Sequence, residues 1–244
     1  MKYLEYYEVI KKQLEDTFKN EGEQIVKAAS LMADSIIEDG LVHVFGCGHS
    51  QMFAQEMFYR AGGLVPVNAL IIPHLSLNPV AKLSTLFERT EGFAQTYLDM
   101  EHTTEKDTMI IVSVSGRNGA VIDMALAAKN KGMKVIALTS RNFSSGVSSR
   151  HSSNLKLVDV ADVVIDVKCE FGDAAMSLKG LDYKFSGTST VLGMSIIQSM
   201  VAQTVEDCVS KGFNPPIWVS SNTEEGDEIN LKYINNYKHR VGCL

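Results

Sequence analysis

The sequence predicts a doubly wound α/β domain: three layers, with helices on both faces of a five-stranded parallel sheet in the flavodoxin-like order 2-1-3-4-5. Three observations predict it. Short runs rich in valine and isoleucine recur along the chain, and several read as strands buried on both faces. Helical patterns separate them, with connections too long for hairpins. Serine-bearing glycine loops follow the first and third of the apolar runs, at Gly46-Cys47-Gly48-His49-Ser50 and Ser113-Val114-Ser115-Gly116-Arg117-Asn118.

The elements follow in order. Residues 1–40 form a helical arm, since Leu4, Ile10, Leu14, Phe18, Ile25, Ala28, Ala29, Met32 and Ile36 recur mostly at helical spacing with charges between them. Gly22 and Gly40 are the expected breaks or stops. Strands are expected at 41–45, 65–67, 109–114, 134–138 and 163–167, where β-branched residues cluster. Helices are expected at 51–61, 80–87, 93–100 and 120–131, the last with Val121, Ile122, Ala125, Leu126 and Ala128 on one side and Gly132 at its end. Residues 144–154 are serine-rich. A long helix is expected over 188–209, with Thr188 and Ser189 as capping residues. Pro215-Pro216 closes the core, and the acidic stretch 222–227 precedes a final helical segment. The expected organisation is one domain over 1–244, with the arm at 1–40, the α/β core at 41–213 and a tail at 214–244.

Composition narrows the function. The 244 residues are 45 % hydrophobic, enough for a sizeable core, and the formal charge of −6 gives no footprint for nucleic acid. No run approaches the roughly 20 apolar residues that span a bilayer. Lys2, Glu5, Lys11 and Lys12 interrupt any signal-like stretch at the start. Cys47, Cys169, Cys208 and Cys243 are scattered without a C-x-x-C pair, which suits a reducing cytoplasm. No His, Asp or Glu cluster has metal-ligand spacing, so no metal or other cofactor is expected. Gly46-x-Gly48 lacks the third glycine of a dinucleotide fingerprint, and there is no G-x-x-x-x-G-K-[ST].

The glycine loops carry the chemistry. Glycine lets the backbone approach a ligand, and each following helix offers unpaired N–H groups and a partial positive charge to an anion. In the order 2-1-3-4-5 the first and third strands lie side by side at the switch point, where such sheets bind ligands. Strand order and loop chemistry therefore select the same crevice, and the anion expected there is the phosphate of a small molecule.

At these loops the chain resembles the sugar isomerase (SIS) domain family. Gly46-x-Gly48-x-Ser50 and Ser113-x-Ser115-Gly116-x-Asn118 are similar to its G-x-G-x-S and S-x-S-G-x-[ST/N] elements, with support from Val135-Ile136-Ala137-Leu138-Thr139-Ser140 and Ala161-Asp162-Val163-Val164-Ile165. The resemblance covers residues 25–210. It implies that Ser113, Ser115, Gly116 and Asn118 hold a sugar phosphate, while Gly48 and Ser50 contact phosphate or a sugar hydroxyl. The family includes isomerases, etherases and regulatory modules, so membership leaves the chemistry open.

Aldose–ketose isomerisation moves a proton between adjacent carbons and opens a ring, work suited to a carboxylate and an imidazole. Glu56, six residues after Ser50, resembles the helical base of phosphoheptose isomerases, with a spacing about one turn shorter. Glu91, in Glu91-Gly92-Phe93-Ala94, resembles a segment of the muramic acid etherases, where lactate would leave. A salt-bridging role for Glu56 and a helix N-terminal role for Glu91 are the structural alternatives. His49 and His74 are the candidates for ring opening, and His43 reads as a packing histidine. Cys47 reads as a small loop residue, with no base beside it. The leading expectation is a sugar-phosphate isomerase, with an etherase-type lyase or a phosphosugar-sensing regulator as alternatives. The apolar stripe of the arm, joined to a second long helix, predicts at least a homodimer.

Overall fold

A computed structural model describes residues 1–244. The chain begins with one helix, α1 (Lys2–Ile37), of 36 residues and ~54 Å at about 1.5 Å per residue. It then alternates strand and helix: β1 (Val42–Gly46), α2 (Gln51–Met57), β2 (Val67–Leu70), α3 (Ala81–Glu88), α4 (Phe93–Met100), β3 (Thr108–Val112), α5 (Gly119–Asn130), β4 (Lys134–Thr139), α6 (Arg141–Ser145), α7 (Leu157–Val160) and β5 (Val163–Asp166). A short hairpin, β6 (Ala174–Met176) and β7 (Phe185–Gly187), leads into α8 (Ser189–Ser210), and α9 (Gly226–Tyr237) ends the fold.

The five strands of the main sheet lie in the order β2-β1-β3-β4-β5. All are parallel, with Val42 opposite Val67 and Thr108, Thr108 opposite Lys134, and Ile136 opposite Val163. This is the predicted fold. Successive side chains enter opposite cores. Val42, Val44, Ile110, Ile136 and Leu138 meet α1, α2 and α8 through Met32, Ile36, Phe53, Ile196 and Met200. Phe45, Met109, Ile111, Val135 and Ala137 meet α4 and α5 through Ala94, Leu98, Val121 and Met124. Every strand residue of β1 and β3 is buried, which is why neither run shows polar alternation.

Some local expectations are corrected. Gly22 does not interrupt α1, which runs unbroken from Lys2 to Ile37. A helical glycine costs about 1 kcal/mol relative to alanine, and the burial of Thr17, Glu21, Ile25, Ala28 and Ala29 on either side offsets it. The second helix stops at Met57, not Ala61, because Phe58 is extended and Tyr59 takes φ 47°. The Tyr59 ring meets Trp218 edge-on at 4.8 Å, where a bridge between Leu64 and Ile217 ties the tail to the segment before β2. The β6–β7 hairpin matches none of the expected strands. Thr188 sits at the N-cap of α8, yet its buried hydroxyl finds no partner, and another residue supplies the cap. No helix is long and apolar enough to cross a membrane.

Candidate functional site

The two glycine loops leave adjacent strands at their carboxyl ends. In the first, Gly46 is obligatory: a Cβ there would lie 2.3 Å from the carbonyl oxygen of Ser50. This close return carries the chain through a single tight turn, Gly48–Ser50, into α2. In the second, Gly116 takes φ 61°, and a Cβ would press on Leu157 and Thr139 at 3.2 Å. The buried Ser113 hydroxyl accepts the Gly116 N–H at 3.2 Å, so Ser113 shapes the turn. The amides of Ser115, Arg117 and Asn118 donate to no main-chain carbonyl. They precede the N-terminus of the 12-residue α5, where free N–H groups suit an anion.

A cavity of about 450 Å³ opens between the loops, within the range of small-molecule sites. His49, Ser50 and Phe53 come from the first loop and α2, and Val114 from the second loop; Asp173, Gly187, Ser189 and Thr190 close it from the hairpin and α8. Asp173 is the cap that Thr188 does not supply. Its Oδ1 accepts the Thr188 and Ser189 N–H groups at 3.0 and 2.8 Å, and its Oδ2 accepts the Ser189 hydroxyl at 2.8 Å. The N-terminus of α8 is thereby occupied by the chain's own carboxylate, whereas that of α5 faces the loop. Asp173 carries no sequence signal, being 15 residues from Thr188 and at φ 68°. A larger cavity, about 610 Å³, lies near the end of α1 and α9, where Arg240 already pairs with Asp39. It contains no residue of either glycine loop, so its size does not recommend it.

The candidate residues separate into groups. His49 and Ser50 stand in the cavity wall. Asn118 is buried at the start of α5 with both ends of its amide engaged: Nδ2 donates to Glu88 Oε1 at 2.9 Å, and Oδ1 accepts from Arg150 Nη1 at 3.0 Å. Glu56 is outside the wall, on the side of α2 that meets α8; its Oε1 accepts Gln198 Nε2 at 2.8 Å and pairs with Arg60. Glu91 is also outside the wall, where it accepts the N–H and hydroxyl of Ser152 at 2.9 and 2.6 Å. The hydroxyl bond, foremost, holds its carboxyl below the ordinary glutamate range. His74 is exposed, its ring 4.8 Å from Phe87. A further carboxylate, Glu88, also lies outside the wall; its Oε1 accepts Asn118 Nδ2 of the second loop, and its charge acts on the buried Cys47 of the first. Burial, and then Glu88, push the Cys47 thiol well above its usual range, which suits a packed loop residue and not a nucleophile.

Sequence reasoning missed the segment that crosses the second loop. Arg150 N–H donates to the Arg117 carbonyl at 2.8 Å, and Leu157 N–H donates to the Gly116 carbonyl at 2.8 Å. Arg117 Nη2 reaches the Ser148 hydroxyl at 3.4 Å. The run 144–154 is marked in the sequence only by its serines; nothing in its local pattern tells which element it crosses.

Comparison with known proteins bears on this architecture. Residues 5–140 match the family model described as SIS domain. Full-length relatives include UPF0309 proteins of Thermoanaerobacter pseudethanolicus, 43 % identical over 99 % of both chains, and of Listeria innocua, 38 % identical over 98 % of this chain and 97 % of that one. Among solved structures, a phosphoheptose isomerase from Francisella tularensis superposes with a TM-score of 0.55 at 18 % identity, covering 84 % of this chain and 97 % of its own. The phosphoheptose isomerase of Neisseria gonorrhoeae gives 0.52 at 20 % identity over 86 % and 97 %. At these identities the likeness is one of fold.

Proposed function

The chain belongs to the SIS domain family, and we propose that it binds a sugar phosphate at the β1–β3 crevice and interconverts its aldose and ketose forms. One observation supports this reading: both glycine loops contribute to the wall of one cavity of about 450 Å³, the first through His49 and Ser50 and the second through Val114, and the amides of Ser115, Arg117 and Asn118, next along the second loop, donate to no main-chain carbonyl. In this proposal the phosphate rests on Ser113, Ser115, Gly116 and Asn118, and the sugar extends past Gly48 and Ser50. His49 handles the ring-opening proton from the cavity wall. Glu88, the carboxylate bonded to the second loop, is the candidate base for the carbon-bound proton. Glu56 and Glu91, each held by partners outside the cavity wall, position structure. The name phosphoheptose isomerase borne by the superposed structures agrees with the reaction class. A second copy of the chain, covering the exposed Tyr3, Leu4 and Tyr7 of α1, completes the proposed unit as a homodimer.

A second reading has its own support. Because both sequence-level base candidates are tied up, a phosphosugar-responsive module without turnover also fits. Incubation with hexose, heptose and hexosamine phosphates in deuterated water separates the readings by mass spectrometry. Isomerisation with solvent deuterium at the α-carbon, lost in Glu88→Gln and retained in Glu56→Gln and Glu91→Gln, is the expected result. Release of a three-carbon acid indicates etherase chemistry. Binding without exchange indicates the sensor, and equal affinity for sugars lacking phosphate overturns the phosphate reading altogether.

A further inference from the structure

The second glycine loop sits among more positive charge than its own residues supply. Arg150 reaches it from the far side of α6, and its backbone is pinned there by the 2.8 Å bond to the Arg117 carbonyl. Its guanidinium donates to Asn118 Oδ1 at 3.0 Å, at the N-terminus of α5. Arg117 is the adjacent loop residue, with a buried Nε that finds no partner. Arg89, at the end of α3, is close enough to act on Arg150: burial, then Arg117, then Arg89 depress the Arg150 pKa, and only Glu88 opposes them. The other carboxylates of this corner are spent elsewhere, Glu91 on Ser152 and Asp123 on His151 and the Gly92 amide. Glu88, bonded to Asn118, is thus the one carboxylate that offsets the positive charge felt by Arg150.

We infer that Arg150 is a ligand-binding residue: it leaves Asn118 Oδ1 to clamp the phosphate group that docks on the Ser115–Asn118 amides. The inference rests on the sugar-phosphate reading and adds to it a guanidinium supplied by a segment outside both loops. A planar guanidinium offers paired donors to two phosphate oxygens. Asn118 Oδ1, a neutral acceptor, is a weaker partner for it than a dianion, so the exchange is favourable. Crowding by Arg117 and Arg89 disfavours an empty site and favours a doubly charged phosphate monoester over a singly charged ligand.

Calorimetry on the full chain tests it, with inorganic phosphate, glucose 6-phosphate, glucosamine 6-phosphate and the two unphosphorylated sugars as probes, against wild type, Arg150→Ala, Arg150→Lys and Ser115→Ala. Arg150→Ala is expected to weaken every phosphorylated probe ~10–100-fold and to reduce the salt dependence of binding. Arg150→Lys recovers the charge but only part of the affinity. An Arg150→Ala affinity within twofold of wild type, while Ser115→Ala weakens binding, overturns the clamp and leaves the phosphate reading standing. Failure of wild type to bind any phosphorylated probe overturns both. Arg150→Ala preserves the main-chain bond to Arg117, and unchanged melting separates a lost clamp from a lost fold.

Discussion

Glu91 and Ser152 form a two-point contact: Oε1 accepts the Ser152 N–H at 2.9 Å, and Oε2 accepts its hydroxyl at 2.6 Å. The contact joins the α3–α4 corner to the segment that carries Arg150. With His151 bonded to Asp123 at 3.0 Å, it anchors that segment from one side while the Arg150 and Leu157 amides anchor it to the glycine loop from the other. A glutamate that local sequence recommends for proton abstraction thus works as a tether.

Glu91→Ala is expected to free the tether without unfolding the domain. Hydrogen exchange should quicken at Ser152 and its neighbours and stay unchanged in β1, β3 and β4, while phosphate affinity falls through the displaced Arg150. Unaltered exchange around Ser152 contradicts the tether.

Stability on the acid side depends on Asp107. Burial alone would raise its pKa, but hydrogen bonds from His43 at 3.2 Å and from the Leu41 and Thr104 amides, both at 2.8 Å, outweigh it and hold the pKa down. A carboxylate with a depressed folded-state pKa stabilises above its unfolded value, near 4, and loses that contribution as pH falls through the folded value. Melting temperature measured from about pH 7 to about pH 3 should drop on the acid limb in wild type and flatten in Asp107→Asn. Asp107→Ala, which strands His43 and the two amides, should cost ~3–5 kcal/mol at neutral pH. Parallel acid limbs for wild type and Asp107→Asn would falsify this account.

Thiol reactivity should follow burial. Cys47 and Cys169 are buried with thiols pushed up, Cys169 to about 12, and Cys208 is buried as well. Cys243 is exposed. Iodoacetamide at pH ~8 should modify Cys243 first in the native protein, and Cys47→Ser should keep ligand binding. Early labelling of Cys47 accompanied by loss of binding refutes the packing role.

Helix α8 approaches α2 through Gly193, where a Cβ would fall 2.3 Å from Phe53 Cε1. Phe53 lines the cavity. Gly193→Ala should therefore cost about 1–3 kcal/mol by overpacking and, by pushing the ring toward the ligand, weaken binding of sugar phosphates more than of inorganic phosphate. Equal effects on the two would show that Phe53 moves elsewhere.

Five strands, their burial on both faces and the glycine loops after the first and third were legible in the sequence because each depends on local pattern. Side-chain period and the steric freedom of glycine act over a few residues. Gly22 misled because its local cost is small beside burial against α8 and β5, which no neighbouring residue reports. The polar partnerships were decided by tertiary structure alone. Glu56 and Glu91 fit their motifs in the chain, yet Gln198 claims one from 142 residues away and Ser152 the other from 61. Asp173 caps α8 across 16 residues to Ser189, and Arg150 meets Asn118 across 32. A carboxylate or guanidinium at the end of a flexible side chain takes the partner that chain packing delivers, and long-range packing leaves no periodic trace in the sequence.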